Sequence, residues 1–241
     1  MQKIILGDIF DRIKNIPDGF ADIVFLDPPY KKTSLEWDRR FSHKIINDAL
    51  RVCKETGVVL VFGREPELSF YRVEAVQQYK YDFIWKKNRK NGYLLSKYRP
   101  LQETEKIAVF SKSQIRKQKY IPQFLVPCHV KSIQGKIKQK HITGGCKDRT
   151  ELLRTKRDYP TDIIECDQEW KNLVHPTEKP IQLFEYLILT YSQLGDVVLD
   201  CCFGSGNSLL AANGLHRNFI GIEKEEKYFS SLKERLESNT K

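Results

Sequence analysis

The stretch DVVLDCCFGSGNSLLAANGLHRNFIGIE, residues 196–223, alternates short apolar runs with a turn that contains glycine. The run that ends at Asp200 is typical of a buried strand, and a helix is predicted to begin near Asn207. A second apolar run ends at Glu223. The order strand, turn, helix and strand predicts an α/β fold, in which helices cover both faces of a parallel sheet.

The turn holds Gly204 and Gly206 and has the physical plan of a nucleotide-binding loop. Glycine lets the backbone approach a ligand closely, and the amino end of the next helix favours a negative group. An acid that closes the following strand, as Glu223 does, typically binds the ribose hydroxyls of an adenosine. The third glycine of the dinucleotide motif and the Lys-Ser/Thr of a phosphate loop are absent. We therefore expect an adenosine-containing ligand other than ATP or NAD.

The rest of the chain continues the alternation of strands and helices. Further strands are predicted at residues 3–6, 21–26, 57–63, 81–85 and 106–110, and further helices at 42–54, after Pro66, at 179–191 and at the carboxyl end. Ser42 can cap the first of these helices. The helix after Pro66 carries the apolar residues Leu68, Phe70, Val73 and Val76.

Four acids fall at the carboxyl ends of predicted strands. They are Asp8, Asp27, Asp200 and Glu223. Because open parallel sheets bind their ligands at this edge, where the strand order reverses, the pattern predicts one shared site.

Basic residues are concentrated in one part of the chain. Thirteen lysines and arginines and only two acids lie between residues 111 and 157, in a chain of net charge +10. A localised basic segment indicates a polyanion such as nucleic acid, and the alternative is a solvated loop. The chain shows no apolar run of membrane-spanning length and no secretion signal, and its six cysteines are scattered. We therefore expect a cytoplasmic protein with reduced thiols and no membrane partner.

The stretch VFLDPPYKK, residues 24–32, ends an apolar run on an acid and then turns sharply. Pro28 and Pro29 forbid further strand pairing, so the chain leaves the sheet in a stiff corner. Tyr30 adds a flat ring with a polar tip. Taken alone, the stretch could be a surface turn with a packed tyrosine.

The segments LDPPY, HPTEKP, VVLDCCFGSG and NFIGIE, in this order, resemble the β-group of S-adenosylmethionine-dependent DNA amino-methyltransferases. The resemblance covers the chain except about residues 111–172. It implies a circularly permuted Rossmann-like methyltransferase fold with a mostly parallel sheet and an inserted basic target-recognition region. Residues 1–110 would form the catalytic half, residues 111–172 the target-recognition region, and residues 173–241 the half that binds S-adenosylmethionine.

The resemblance also implies roles for individual residues. The catalytic residues it implies are Asp27, Pro28, Pro29 and Tyr30. The cofactor-binding residues it implies are Asp8, Ile9, His175, Thr177, Lys179, Asp200, Phe203, Gly204, Ser205, Gly206, Asn207 and Glu223. The sequence departs from the family pattern at Cys201 and Cys202, where proline and a bulky residue are more frequent, and at Asn207, where threonine is.

With this resemblance the corner gains a chemical role. Asp27 and a corner carbonyl, that of Pro28, can accept hydrogen bonds from an exocyclic amine and align its lone pair with the methyl group. A base inside a duplex must be flipped out first, and Tyr30 can stack on it. With an acid at position 27, the motif resembles that of adenine-N6 enzymes. Open alternatives are a cytosine-N4 methyltransferase and a non-catalytic nucleic-acid-binding regulator with a degenerate methyltransferase fold.

Double-stranded DNA is therefore the expected partner. The residues expected to contact DNA are Lys31, Lys32, Lys87, Arg89, Lys136, Lys138, Lys140, Lys147 and Arg149. For residues 85–98, a solvated hairpin loop is the alternative. The resemblance further implies a homodimer and a cognate restriction nuclease, in a prokaryotic or phage setting. The spacing of Cys128, His129, His141 and Cys146 fits no usual ligand pair, so no metal is predicted.

Overall fold

The structure is a computed structural model and describes residues 1–28, 42–134, 150–168 and 173–238, with the backbone alone for 128–134 and 150–157. The chain forms two compact units. One consists of Met1–Ile121 and Asp162–Lys241, and the other of Pro122–Thr161.

The larger unit is built on an eight-stranded sheet with helices on both faces. Its strands are β1 (Gln2–Leu6), β2 (Ala21–Leu26), β3 (Cys53–Gly63), β4 (Tyr79–Asn91), β5 (Gln102–Phe110), β8 (Ile163–Glu165), β9 (Val197–Asp200) and β10 (Asn218–Glu223). The helices are α1 (Ile9–Arg12), α2 (Ile45–Val52), α3 (Glu67–Glu74), α4 (Ile181–Tyr191), α5 (Asn207–Gly214) and α6 (Glu226–Ser238). The smaller unit holds an antiparallel pair, β6 (Val126–Gln134) and β7 (Thr150–Arg157).

The strand order in the sheet is β1-β10-β9-β2-β3-β5-β4-β8. The pairings from β1 to β3 are all parallel, β5 is antiparallel to both of its neighbours, and β8 is parallel to β4. All strands except β5 therefore point the same way, which confirms the predicted mostly parallel α/β fold. From β2 the chain continues to one side of the sheet and from β9 to the other. The switch point, where such sheets bind ligands, lies between β2 and β9.

The core of the larger unit consists of two apolar clusters, one on each face of the sheet. Val24 and Leu26 of β2 belong to one cluster, and Ile23 and Phe25 of the same strand belong to the other. Every residue of β2 is buried. A strand with both faces covered has no polar side, so it reads as a continuous apolar run.

Helix α2 differs from its prediction, and α3 buries a side that the sequence did not identify. Helix α2 begins at Ile45, and its first turn has no side-chain cap, so Ser42 does not cap it. In α3 the buried residues are Leu68 and Tyr71. One helical turn separates these two, which places them on the same side of the helix.

Three other apolar residues of this segment point to solvent. They are Phe70, Val73 and Val76, and they are 47%, 77% and 68% exposed. The apolar pattern alone did not identify the buried side of α3.

Strand β4 is longer than the predicted residues 81–85. It pairs with β5 as far as Lys86 opposite Thr104, and again at Asn91 opposite Gln102. Backbone pairing continues through polar side chains, because a hairpin partner satisfies the backbone groups whatever the side chains are. No helix in the described residues is long and apolar enough to cross a membrane.

Candidate functional site

The corner after β2 and the glycine turn after β9 lie side by side. Phe25 is paired with Asp200 across the two parallel strands, and the Cys201 N–H donates to the Phe25 carbonyl at 3.0 Å. Asp27 follows Phe25 by two residues, and Gly204 follows Asp200 by four. The two motifs that lie far apart in sequence therefore meet at the same edge of the sheet, as predicted for one shared site.

Asp27 is held by a lysine from the interior. The ammonium of Lys179, just before α4, donates a hydrogen bond to Asp27 Oδ2 and lies 4.8 Å from the centre of the Phe62 ring. The side chains of Lys179 and Asp27 are 4% and 27% exposed. Burial opposes the charge on Lys179, but Asp27 and Glu105 outweigh it and raise its pKa. Lys179 therefore stays protonated and fixes one oxygen of the acid.

Lys179 also lies close to a second buried ion pair, between Glu105 and Lys87. Glu105 Oε1 lies 3.7 Å from Lys179 Nζ, and Glu105 Oε2 accepts a hydrogen bond from Lys87 Nζ at 2.6 Å. Burial favours the neutral form of Glu105, but Lys179 and Lys87 lower its pKa. The Lys87 side chain is 7% exposed, and its ammonium lies 4.3 Å from the centre of the Trp85 ring. The expectation that Lys87 contacts DNA is corrected, because its charge is buried and paired with Glu105.

The turn that contains Gly204 and Gly206, called the cofactor turn after its predicted role, has the geometry that its glycines predict. Gly204 and Gly206 have φ of +51° and +78°. A Cβ on Gly206 would lie 2.4 Å from a methyl carbon of Leu232, so only glycine fits there. Gly206 directly precedes α5, and the buried Phe203 and Ser205 complete the turn.

Asn207, at the first position of α5, joins the cofactor turn to the segment before α4. Its amide nitrogen donates to the Lys179 carbonyl at 2.8 Å and to Glu178 Oε1 at 3.3 Å. Its amide oxygen accepts from Arg235 Nη2 at 2.9 Å, and Arg235 Nη1 donates to the Ser205 carbonyl at 2.5 Å. The asparagine amide donates to two oxygens while it accepts from Arg235, whereas the hydroxyl of the threonine frequent in the family has a single hydrogen to donate.

Two buried acids flank the turn. Asp200 accepts hydrogen bonds from the Ser208 hydroxyl and, at 3.0 Å, from the Cys202 N–H. Burial raises the pKa of Asp200 to about 7, although both hydrogen bonds oppose the shift. Glu223 accepts from the N–H groups of Gly204, Lys224 and Glu225 at 2.8, 2.8 and 2.9 Å. Burial raises the pKa of Glu223 as well, against those three donors.

Asp8 lies next to Glu223 because β1 pairs with β10. The Gly7 N–H donates to the Glu223 carbonyl at 2.8 Å. Asp8 caps α1 by accepting from the Phe10 N–H at 3.0 Å, and its other oxygen lies 3.2 Å from Lys224 Nζ. The neighbouring Ile9 is 5% exposed and packs in the core.

His175 covers the other side of the turn. Its ring lies 3.4 Å from where a Cβ of Gly204 would be, and 4.5 Å from the Tyr228 ring between centroids. Burial lowers the pKa of His175, so the ring is neutral near pH 7. The Thr177 N–H donates to Nδ1 at 3.3 Å, which places the ring proton on Nε2.

These residues fit S-adenosylmethionine. A glycine turn before a helix lets the protein backbone approach a ligand closely, and Glu223 lies where an adenosine ribose is typically bound.

Several predicted residues lie outside the part of the chain that the structure describes. They are Pro29, Tyr30, Lys31, Lys32, Lys136, Lys138, Lys140, Lys147 and Arg149. Arg89 is described and lies exposed on β4. Among the described residues no group of three or more histidines, cysteines and acids could hold a metal ion. The side chains of Cys128, His129, His141 and Cys146 are not among them, so the expectation of no metal stays a prediction.

The model of the DNA methylase family, the N6/N4 methyltransferases, matches residues 21–234. The chain belongs to this DNA methylase family. The resemblance read from the motifs is thereby confirmed. The chain is 27% identical over 266 residues to the Type II methyltransferase M.HinfI of Haemophilus influenzae, covering 98% of this chain and 68% of that protein. It is 26% identical over 257 residues to the Type II methyltransferase M.HpaI of Haemophilus parainfluenzae, covering 98% and 74%.

Solved structures of methyltransferases share the fold. The M1.HpyAVI–SAM complex superposes with a TM-score of 0.63 at 26% identity and covers 98% of this chain and 100% of that one. The PvuII cytosine-N4-specific DNA methyltransferase superposes with a TM-score of 0.67 at 16% identity, covering 95% and 83%, and shows the fold alone. The predicted methyltransferase fold is therefore confirmed.

Three residues of the site were not identified from the sequence. Glu178 accepts from the N–H groups of Val174 and His175, and Arg235 reaches the cofactor turn from α6. Glu105 stands two residues before Ile107 on β5, so it shares the face that Ile107 buries. An acid in phase with the apolar side of a strand is the signal that would have identified it.

Proposed function

We propose that this protein is a site-specific DNA methyltransferase that moves a methyl group from S-adenosylmethionine to the exocyclic N6 of an adenine flipped out of double-stranded DNA. The observation that carries the proposal is the position of Asp27. Its carboxylate is fixed by the buried Lys179 and lies beside the turn that contains Gly204 and Gly206. Membership of the DNA methylase family supports the same reaction.

S-adenosylmethionine, when bound, supplies an electrophilic methyl group on a positively charged sulfur. Asp27 accepts a hydrogen bond from the amino group of the base, and the Pro28 carbonyl accepts the other. These acceptors turn the nitrogen lone pair toward the methyl group. With S-adenosylmethionine bound, its methyl group would pass from sulfur to this nitrogen, and the surplus proton on the nitrogen would leave by way of Asp27 to solvent. Asp27 need not be a strong base, because the proton becomes acidic only after methylation.

The choice of adenine rests on the acid at position 27. Serine at this position more often accompanies cytosine-N4 enzymes in the family that the motifs resemble. Cytosine-N4 methylation and a binding protein without catalysis remain as outcomes of the test.

DNA would contact the carboxyl edge of the sheet. Strand β4 runs in the same direction as β2, so its end and the turn after it lie at the edge where Asp27 stands. In this turn Tyr93, Leu94 and Tyr98 are 63%, 98% and 85% exposed. The chain has six basic residues and no acid between residues 86 and 100. Exposed aromatic and basic groups together suit phosphates and unstacked bases.

The unit Pro122–Thr161 carries nine basic and three acidic residues and is proposed to lie within the target-recognition region, residues 111–172. One basic residue of residues 111–172 forms ion pairs within the protein. Lys119, in the larger unit, bonds to Asp22 at 2.9 Å and to Asp196 at 2.5 Å. We further propose a cytoplasmic enzyme that acts as a homodimer beside a cognate restriction nuclease.

The test is to incubate unmethylated plasmid DNA with the protein and S-adenosylmethionine, and to identify the nucleosides by mass spectrometry. N6-methyladenine that is absent with the Asp27→Ala variant supports the proposal. N4-methylcytosine would support the same mechanism but contradict the assignment of adenine as the target base. No modified base despite binding of S-adenosylmethionine would indicate the binding protein.

A further inference from the structure

Four buried or half-buried charges of alternating sign run from the β4–β5 hairpin to the catalytic corner. Lys87 on β4 bonds to Glu105 on β5 at 2.6 Å, Glu105 lies 3.7 Å from Lys179, and Lys179 bonds to Asp27. The side chains of Lys87, Glu105 and Lys179 are 7%, 8% and 4% exposed. This set is called the charge row below.

Stability alone does not account for the charge row. Removing charges from water costs roughly what their attraction returns, and apolar residues of similar size stabilise a core at least as well. Phe62 and Trp85, which lie against the two lysines, show that apolar packing is available at this place. The row ends on the acid that the reaction uses, which indicates a role in the reaction.

Glu105 controls how strongly Lys179 acts on Asp27. A lysine ammonium has three donors and no fixed direction, so a single partner does not orient it. Glu105 lies on the other side of Lys179 and shares its charge. Arg64 is a weaker neighbour, with its guanidinium 4.0 Å from Glu105 Oε2. Without Glu105 the full positive charge of Lys179 would fall on Asp27 and make it a poorer acceptor for the amine.

We propose that Glu105, anchored by Lys87, is a positioning residue for methyl transfer, and that it acts on Asp27 through Lys179. The inference rests on the proposed function, since it assigns Asp27 the role of hydrogen-bond acceptor for the amino group of the base. It assigns a role in the reaction to two residues with buried side chains, one on β4 and one on β5.

The test compares Glu105→Gln with Asp22→Asn. Asp22 is a matched control, because it is also a buried acid with two lysine partners, Lys54 at 2.7 Å and Lys119 at 2.9 Å. It lies at the amino end of β2, whereas Asp27 follows the carboxyl end. We expect Glu105→Gln to lower kcat by about tenfold and to leave KM for DNA and for S-adenosylmethionine within about twofold. Asp22→Asn is expected to lower stability without this loss of kcat. If Glu105→Gln does not fold, Lys87→Gln takes its place with a smaller expected loss.

A second readout needs no turnover. Unfolding by urea is measured for Glu105→Gln, Asp27→Asn and the double variant. Each single variant removes one of the two acids that form ion pairs with Lys179, and the double variant removes both. We therefore expect the double variant to lose more stability than the two single losses together. Asp22→Asn combined with Asp27→Asn is expected to be additive, since these acids share no partner.

A kcat within about twofold of the wild type for Glu105→Gln, or an additive unfolding cycle with Asp27→Asn, contradicts the proposal. If the wild type methylates no base, the proposed function fails. The unfolding cycle then still decides whether Glu105 acts on Asp27.

Discussion

Lys179 lies in the interior with 4% of its side chain exposed and donates a hydrogen bond to Asp27, 152 residues earlier in the chain. The contact joins the corner after β2 to the segment before α4. The same segment also holds the cofactor turn, because the Lys179 carbonyl accepts from Asn207 at 2.8 Å. One residue thus links the proposed methyl acceptor site to the proposed cofactor site.

Replacing Lys179 by methionine is expected to lower both stability and activity. Asp27 and Glu105 would lose the cation between them, and breaking a buried ion pair costs about 3–5 kcal/mol. Lys119→Met is the control, because Lys119 also joins two acids but lies away from the site. Urea unfolding and methylation rates measure the two effects. A Lys179→Met variant that methylates as fast as Lys119→Met would contradict the role of Lys179.

Gly206→Ala is expected to weaken the cofactor turn. Its φ of +78° and the 2.4 Å approach of Leu232 to a new Cβ both oppose a side chain. The left-handed conformation alone costs about 1–2 kcal/mol for alanine. Gly214→Ala is the matched control, since no atom lies within 4 Å of a Cβ there. Calorimetric titration with S-adenosylmethionine is expected to show weaker binding for Gly206→Ala alone, and equal binding by both variants would refute the assignment of the turn.

Asp200 gives the cofactor-free protein a pH dependence. Its pKa is raised from the usual 3.8 to about 7, so between these values the folded state holds a proton that the unfolded state has lost. Stability therefore falls as the pH rises from about 4 to about 7, and the loss is complete above the folded pKa. The Tm of Asp200→Asn, which cannot ionise, is expected to fall less than that of the wild type over this range. Parallel Tm curves for the two proteins would show that Asp200 does not titrate there.

Lys90 in the β4–β5 hairpin is expected to contact a DNA phosphate. Lys90→Ala should weaken DNA binding on all sequences alike and reduce the slope of log K against log salt by about one. The control is Lys14→Ala, because Lys14 is also exposed but precedes β2 at the amino edge of the sheet. Binding is followed by fluorescence anisotropy over a range of salt concentrations. An unchanged slope for Lys90→Ala would place the hairpin away from the DNA.

The motifs and the main strands could be predicted from the sequence because each is determined by neighbouring residues in one continuous stretch of chain. A strand that ends on Asp200, a glycine turn and a helix form one continuous unit, and its function depends on backbone geometry. That Asp27 and this turn lie at the same edge of the sheet followed from the rule for parallel sheets, whereas the pairing of β2 with β9 is known only from the structure.

The charge row could not be predicted from the sequence, because its four side chains come from segments that only the folded sheet brings together. Lys87 lies in a stretch that reads as a basic loop, and its partner Glu105 stands on the next strand. Only the pairing of β4 with β5 turns the two side chains into a buried ion pair. The same lack of tertiary information explains the exposed side of α3, where Val73 is 77% exposed.

The central claim is that Asp27, held by Lys179, accepts a hydrogen bond from the amine that receives the methyl group. The most direct measurement is the single-turnover rate of methyl transfer to DNA, with saturating S-adenosylmethionine and enzyme, for the wild type, Asp27→Ala and Asp22→Asn. We predict a loss of at least about 100-fold for Asp27→Ala, with binding of S-adenosylmethionine within about threefold of the wild type, and little change for Asp22→Asn. An Asp27→Ala rate within about threefold of the wild type would contradict the account.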